Sequence, residues 1–271
     1  GDMLDYLAGD TKSRAILMYM EALSNAPKFI SAARRAARSK PVIVVKSGRH
    51  EAGARAAQSH TGALAGSDAA YEAAFRRTGL LRVRTLPDLF AAAEMLSRTP
   101  KLAGERLVIL TNGGGAGVLA ADELQDAGGT LAALSPQTIA ALDAVLPDFS
   151  LNRNPLDLTA MLLADPGLLG RVMNITLADT AVSAAALGLV AIGGPSYDLP
   201  RFVRETADAV RVSGKPCVVH APDPRVRQAF VEAGLPVFAS ERAALVALRD
   251  WRGHLAAIAS SVHCDGASCD E

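Results

Sequence analysis

One histidine of the chain stands in unusual surroundings. His60 lies in the run SHTGALAGS at residues 59–67, where the other side chains, apart from Leu64, are small. Small neighbours leave an imidazole uncrowded and let backbone N–H groups approach whatever the ring carries. Neutral imidazole is a nucleophile that accepts a group and passes it on. We therefore predict phosphoryl or acyl transfer, with His60 as the carrier on a mobile, glycine-flanked loop.

Two neighbouring features suit a histidine that carries a phosphoryl group. Ser67 and Asp68 are typical of a helix start, and the N-terminus of a helix favours an anion. Glu21 follows the apolar run at residues 15–20. A carboxylate at that strand end would fix the tautomer of the imidazole. The same pattern also fits an ordinary solvated glutamate.

A second candidate site is the run LVILTNGGGAG at residues 107–117, which reads as a strand, a glycine loop and a helix start. Ligands of open α/β sheets bind at the carboxyl ends of the strands, and glycines there allow close backbone approach. Asn112, Gly113 and Gly114 are thus candidates for binding a phosphate or a carboxylate. A tight turn without a ligand is the alternative, since neither a strict GxGxxG motif nor a Walker lysine is present.

A third loop, NRNPLDLT, spans residues 152–159. Asn154-Pro155 is a turn signal. Either Asp157 or Thr159 is expected to cap the helix that follows.

Apolar runs in the sequence predict the strands that must position these loops. Five runs lack polar alternation, which is typical of strands covered on both faces of a parallel sheet. They lie at residues 15–20, 41–46, 107–110, 187–192 and 216–220, with helical patterns between them, for example at 29–38, 86–98 and 118–127.

This alternation predicts an α/β chain of two doubly wound parallel-sheet domains. We place them at residues 1–100 and 105–250, with a tail at 256–271. The first domain has two or three clear strands where such a domain usually has five. We therefore expect it to be truncated at its N-terminus. SKPVIVV at 39–45 resembles SGKPCVV at 213–219, so the two halves look like related units.

Composition excludes several classes of protein. The formal net charge is +0 and aromatic residues make up 4%, which argues against a nucleic-acid-binding surface. Cys217 lies in an apolar run and is expected to be a buried thiol, while Cys264 and Cys269 lack the second ligand pair of a metal site. We find no signal peptide and no membrane-spanning run, so we predict a cytoplasmic protein without a metal centre.

The motifs, taken in order, resemble one family. Residues 41–67, with HTG followed by AGS, residues 111–117 and the run NPLDL at 154–158 resemble the NDP-forming acyl-CoA synthetases. This family includes the ADP-forming acetyl-CoA synthetases and the relatives of succinyl-CoA synthetase. The resemblance extends to about residue 249.

The resemblance implies two flavodoxin-like, succinyl-CoA ligase-like domains of an acid–thiol ligase. Such an enzyme forms acyl-CoA reversibly from a small carboxylic acid, CoA and ATP. It implies that His60 becomes phosphohistidine and that Glu21 orients it. The phosphate-binding positions that it implies are Thr61, Gly62, Asn112, Gly113, Gly114, Asn154, Asp157 and Leu158.

The resemblance also implies partners. The complete enzyme would use a CoA-binding Rossmann domain, an ATP-grasp domain or subunit, and Mg²⁺ with ATP or ADP, in a homo- or hetero-oligomer. Because neither of those domains is recognisable in the sequence, we expect this chain alone to be inactive. The alternative is a non-catalytic, ligand-sensing regulatory module of a larger protein N-acetyltransferase.

Overall fold

The computed structural model describes residues 1–61, 67–98, 104–147, 152–190, 192, 194–250 and 252. The chain forms two compact units, of which one holds Gly1–Ser97 and the other Arg98–Arg249. The expected tail at 256–271, with Cys264 and Cys269, lies outside the described residues. Among the described residues, no helix is both long enough and apolar enough to cross a membrane.

The first unit alternates helices with short parallel strands. Its strands follow the spatial order β1-β2-β3, and β2 pairs with both neighbours in parallel. Its elements are α1 (Asp2–Gly9), β1 (Ile16–Met20), α2 (Ala26–Ser39), β2 (Val42–Lys46), α3 (Glu51–Thr61), α4 (Asp68–Thr78), β3 (Leu81–Val83) and α5 (Leu86–Arg98).

The burial of the central strand β2 explains why its sequence lacks polar alternation. All five of its residues are buried. Val42 and Val44 pack with the alanine-rich face of α2, while Ile43 and Val45 pack with Leu89 and its neighbours on the other side. Helices therefore cover both faces of the sheet, as predicted.

The second unit contains a larger parallel sheet of the order β5-β4-β7-β8-β9, with β6 also paired to β4. The fold class is therefore the predicted α/β class with two parallel sheets. The unit consists of β4 (Arg106–Thr111), α6 (Gly114–Asp126), β5 (Thr130–Leu131), α7 (Pro136–Asp143), β6 (Leu156–Asp157), α8 (Met161–Ala164), α9 (Leu168–Ala178), β7 (Ala184–Gly188), α10 (Leu199–Ser213), β8 (Cys217–His220), α11 (Pro224–Glu232) and β9 (Val237–Phe238), followed by a helical segment at 241–250.

One strand lies earlier than predicted. The run at 187–192 was expected to form it, but the strand is Ala184–Gly188. Three consecutive alanines, with low strand propensity, begin this strand. Pairing decides the outcome, because Ala185 and Ala186 lie between Val108 and Ile109 of β4 on one side and β8 on the other. Small side chains are accommodated there because helices cover both faces.

The repeated lysine–proline sequence has the same structural role in both units. Lys40, just before β2, donates from Nζ to the carbonyl oxygens of Asp10 and Ser13, at 2.5 and 2.9 Å. Lys215, just before β8, donates to the carbonyl oxygens of Leu177 and Asp179, both at 2.6 Å. Each ammonium thus ties the start of one strand to the segment that leads into the neighbouring strand. The predicted relationship between the two halves therefore extends to side-chain contacts.

Candidate active site

The first candidate site lies at the carboxyl edge of the three-stranded sheet. Met20 ends β1 opposite Lys46 at the end of β2. Glu21 follows immediately and is half-buried, with its Oε2 atom inaccessible to solvent. Ser47 closes this edge by donating from its backbone N–H to the carbonyl oxygen of Met20, at 3.0 Å. Glu21 therefore occupies the strand end where the sequence placed it.

His60 lies on a helix and not on the predicted loop. Helix α3 runs over Glu51–Thr61, so the backbone of His60 and Thr61 is helical. The reason lies in the preceding residues, since the alanines and glutamine of residues 54–58 are good helix formers. The imidazole of His60, the side chain of Thr61 and the whole of Gly62 lie outside the described residues.

Helix α4 begins where the sequence predicted, with Ser67 as N-cap and Asp68 as the first helical residue. The Ser67 hydroxyl makes no capping hydrogen bond. Arg82 of β3 instead pairs with two acidic side chains of α4, at 2.5 Å from Asp68 and 2.9 Å from Glu72. The hydrogen bond from Arg82 lowers the pKa of Asp68. The start of α4 therefore carries two acidic side chains that a partly buried guanidinium balances.

Sequence reasoning missed a second charged residue at this edge. Lys46 ends the otherwise apolar strand β2, and only 3% of it is exposed. Its Nζ atom lies 4.6 Å from the ring centroid of Tyr71 on α4. Burial lowers the pKa of Lys46, while the carboxylates of Asp68 and Glu21 oppose that shift. The signal was present in the sequence as a lysine ending a run of four apolar residues, VIVVK.

The second candidate site is the glycine loop between β4 and α6. Gly113 is the N-cap of α6, and its N–H donates to the hydroxyl of Thr111 at 3.2 Å. Gly114 and Gly115 occupy the first helical turn, whose N–H groups have no partner within a helix. The predicted arrangement of strand, glycine loop and helix is therefore present, and it offers N–H groups suited to an anion.

Asp157 lies against the start of α6. A Cβ atom added to Gly114 would lie 3.0 Å from Oδ2 of Asp157, so only a glycine fits there without displacement. The other oxygen, Oδ1, accepts a hydrogen bond of 2.8 Å from the N–H of Thr159, a residue with a φ of 50°. The structure thus brings Gly113, Gly114 and Asp157 together at one edge of the sheet. The carboxylate itself contributes a negative charge beside the anion-binding turn.

The other predicted positions of the second unit bind neighbouring backbone. Oδ1 of Asn112 accepts from the N–H of Val190 at 2.9 Å. The N–H of Leu158 donates to the carbonyl oxygen of Thr111 at 2.7 Å, and the Leu158 side chain is buried. These groups hold the loops of the sheet edge in place.

Asn154 has a comparable role within the sheet. Strands β5 and β6 pair with opposite ends of β4. Between those ends, Oδ1 of Asn154 accepts from the N–H of Ile109, while Nδ2 donates to the carbonyl oxygens of Leu107 and Ala132. The amide therefore completes the hydrogen bonding of β4 where neither short strand reaches. Binding of phosphate by Asn154 stays a prediction.

The N-cap of α8 is Ala160 and not the predicted Asp157 or Thr159. The Thr159 hydroxyl nevertheless accepts from the N–H of Met161, the first residue of α8, at 3.3 Å. Cys217 is the buried thiol that was expected, and burial raises its pKa to about 12. Among the described residues, no cluster of three or more His, Cys, Asp or Glu side chains is suited to a metal ion.

Two family models match the chain. Residues 1–96 match the succinyl-CoA ligase like flavodoxin domain, and residues 107–252 match the Ligase-CoA domain. The second match alone covers more than half of the sequence.

The chain belongs to the Ligase-CoA domain family. Among the curated relatives of this Ligase-CoA chain, the subunit alpha of acetate–CoA ligase [ADP-forming] I from Pyrococcus furiosus is 42% identical over 160 residues, which are 59% of this chain and 34% of the relative. Acetate–CoA ligase [ADP-forming] I from Archaeoglobus fulgidus is 46% identical over 157 residues, which are 58% of this chain and 23% of the relative.

A solved structure supports the same assignment over nearly the whole Ligase-CoA chain. The dinucleotide forming acetyl-coenzyme A synthetase 1 of Ca. Korarchaeum cryptofilum, in complex with phosphate and ADP, matches with a TM-score of 0.83 and 31% identity. The match covers 97% of this chain and 57% of that chain. The predicted family is thereby confirmed, and these relatives, being ligases and synthetases, give no support to a regulatory module of an N-acetyltransferase. The chain spans 34% or less of the two curated relatives.

Proposed function

We propose that this chain is the ligase-domain part of an ADP-forming acyl-CoA synthetase, in which His60 carries the phosphoryl group. The observation that carries the proposal is the likeness over 97% of the chain to an acetyl-CoA synthetase in complex with phosphate and ADP. The complete enzyme would convert a small carboxylic acid, CoA and ATP into acyl-CoA, ADP and phosphate, reversibly.

The proposed roles of the first unit follow from its sheet edge. In the ligase direction, the imidazole of His60 attacks the γ-phosphorus of ATP, a P–N bond forms, and ADP leaves. Glu21, half-buried at the end of β1, accepts the N–H of the opposite ring nitrogen and so directs the attacking lone pair toward the phosphorus. The phosphoryl group then passes to the carboxylate of the acid, and CoA displaces phosphate from the acyl phosphate.

Each unit, taken by itself, offers proposed phosphate contacts. Thr61 and Gly62 follow His60 directly, and the N–H groups of the α6 turn at Gly113 and Gly114 suit an anion. Asn112, Asn154, Asp157 and Leu158 maintain the shape of that second edge through the contacts described above.

The rest of the proposal concerns partners. A CoA-binding Rossmann domain and an ATP-grasp domain, fused or as a separate subunit, would supply the acyl and nucleotide chemistry in an oligomeric, cytoplasmic enzyme. Mg²⁺ would bind with the nucleotide, and the described residues of this chain hold no cluster suited to a metal ion.

The test is labelling of the full-length protein with γ-³²P-ATP. We expect an acid-labile, base-stable label that His60→Ala abolishes. His50→Ala is the matched control, because His50 is an exposed histidine of the same unit just before α3. Glu21→Gln is expected to slow labelling by about 100-fold or more, since a neutral amide no longer orients and balances the imidazole.

Two results would overturn the proposal. One is a His60→Ala protein that is labelled as strongly as the wild type. The other is a full-length protein that forms acyl-CoA without ever carrying the label.

A further inference from the structure

Lys46 is a buried charge that the proposed reaction does not yet use. Its ammonium donates to the carbonyl oxygen of Ser47, and among the described residues no carboxylate lies within the 4.0 Å of an ion pair. An ammonium removed from water is costly unless nearby charge or hydrogen bonding compensates it. A buried lysine at the end of β2 therefore calls for a reason beyond packing.

The contacts around the Lys46 ammonium connect strand β2, helix α4 and the turn after β1. Nζ of Lys46 lies over the ring of Tyr71, a cation–π contact between β2 and α4. The Tyr71 hydroxyl accepts a hydrogen bond of 3.2 Å from the N–H of Leu23. Leu23 lies two residues after Glu21, so Tyr71 connects Lys46 to the turn that carries Glu21.

The charges around Lys46 divide into two groups. Arg82, whose side chain is 11% exposed, pairs with Asp68 and Glu72 and balances their charge. Glu21 faces the same sheet edge from the end of β1, in line with the pairing of Met20 with Lys46. The carboxylates of Asp68 and Glu21 both favour the charged form of Lys46, and Arg82 opposes it.

We propose that Lys46 is a positioning residue of the phosphohistidine site, whose buried ammonium balances the charge of Glu21 and, through Tyr71, holds the turn that carries Glu21. The inference deepens the proposed function and rests on it. Lys46 acts on His60 through Glu21, whose carboxylate its ammonium attracts and holds in register with the end of β2. A fixed carboxylate partner is what an attacking imidazole needs.

The test measures the rate of His60 phosphorylation in the full-length protein across pH. Lys46→Met is expected to lower that rate by about 10- to 100-fold at neutral pH. This is the size of effect that the loss of a buried charge has on a reacting group close to it. Lys46→Arg keeps the charge and should retain most of the rate. Lys40→Met is the matched control, because Lys40 is a half-buried lysine at the opposite end of the same strand, and it should leave the rate unchanged.

The pH profile separates charge from structure. Because burial lowers the pKa of Lys46, its ammonium loses its proton at a lower pH than an ordinary lysine. The wild-type rate should therefore fall on the alkaline side, and Lys46→Arg should remove that fall because a guanidinium stays charged. Among the residues that the structure describes, Glu21, Asp68, Arg82 and Tyr71 are the charged or titratable groups that face Lys46.

Unfolding by urea, measured on the same variants, completes the test. Lys46→Met and Lys40→Met should both be less stable than the wild type, since each removes an ammonium that donates to backbone carbonyl oxygens. A loss of rate that only Lys46→Met shows therefore reflects the position of Lys46 and not the loss of stability. Two results would overturn the role of Lys46: a Lys46→Met protein with the wild-type rate at every pH, and a Lys46→Arg protein whose rate falls at alkaline pH as that of the wild type does. Labelling at His60 would still support the proposed function in either case. Labelling that His60→Ala does not affect would overturn both.

Discussion

At the residue scale, the two candidate sites differ in how their charges are balanced. Near Glu21, the ammonium of Lys46 is buried and the guanidinium of Arg82 pairs with the carboxylate of Asp68. At the start of α6, the carboxylate of Asp157 lies beside backbone N–H groups of a helix N-terminus. In the proposed enzyme, a phosphoryl group at the start of α6 would meet N–H donors and the carboxylate of Asp157, so the position of Asp157 would affect how the anion is held.

Gly114 and Gly115 allow a direct test of that position. A Cβ at Gly114 would lie 3.0 Å from Oδ2 of Asp157, whereas a Cβ at Gly115 would meet nothing within 4 Å. Gly115→Ala should stabilise the protein by about 0.5–1 kcal/mol, since alanine favours a helix over glycine. Gly114→Ala should be about 1 kcal/mol or more less stable than Gly115→Ala because it displaces Asp157.

Urea unfolding of the two variants measures this difference. Equal stability of Gly114→Ala and Gly115→Ala would show that Asp157 moves aside without cost. That result would contradict the tight contact between Asp157 and the first turn of α6.

At the scale of elements, the lysine–proline repeat shows how each unit fixes the start of a strand. The ammonium of Lys215 donates to backbone carbonyl oxygens at the end of α9 and in the turn after it. Lys40 does the same after α1. Burial lowers the pKa of Lys215, so the contact is partly removed from water. Because these contacts lie at the amino ends of the strands, they contribute to stability and not to the sites at the carboxyl ends.

Lys215→Met should therefore lower the free energy of unfolding by about 2–3 kcal/mol, since it removes a charged donor and leaves two carbonyl oxygens without it. Lys12→Met, at an exposed lysine, should change stability by no more than about 0.5 kcal/mol. Thermal or urea unfolding compares the two. A Lys215→Met protein as stable as Lys12→Met would show that water replaces the ammonium without loss.

At the scale of the whole molecule, the chain covers only part of the length of the relatives that it matches. It spans 34% of the Pyrococcus furiosus relative and 23% of the Archaeoglobus fulgidus relative. In the proposed enzyme, His60 carries a phosphoryl group between sites that other domains provide. A carrier alone has no means of being charged or discharged repeatedly.

We therefore expect the purified 271-residue chain to form no acyl-CoA at a steady rate from ATP, CoA, Mg²⁺ and acetate. The full-length protein, assayed for thioester under the same conditions, is the positive control. Steady thioester formation by the 271-residue chain would contradict the expectation, and it would place the acyl and nucleotide sites within this chain.

The sequence by itself determined the features that depend on neighbours along the chain. Unbroken apolar runs predicted buried parallel strands, and helix α5 begins and ends where the pattern at 86–98 placed it. The HTG, GGG and NPLDL motifs, taken in order, carried the resemblance to the family. Glu21 was found because a residue that follows a strand must lie at the carboxyl edge of its sheet.

Only the tertiary structure decided what depends on residues far apart. The alanines of β7 form a strand because β4 and β8 pair with them, and Asn154 serves a strand that lies 45 residues earlier at Ile109. The sequence marked Lys46 only as a lysine that ends an apolar run, and its contact with the ring of Tyr71 depends on the packing of β2 against α4. Propensity and periodicity act over a few residues, whereas strand pairing and the burial of charge depend on which distant segments the fold brings together.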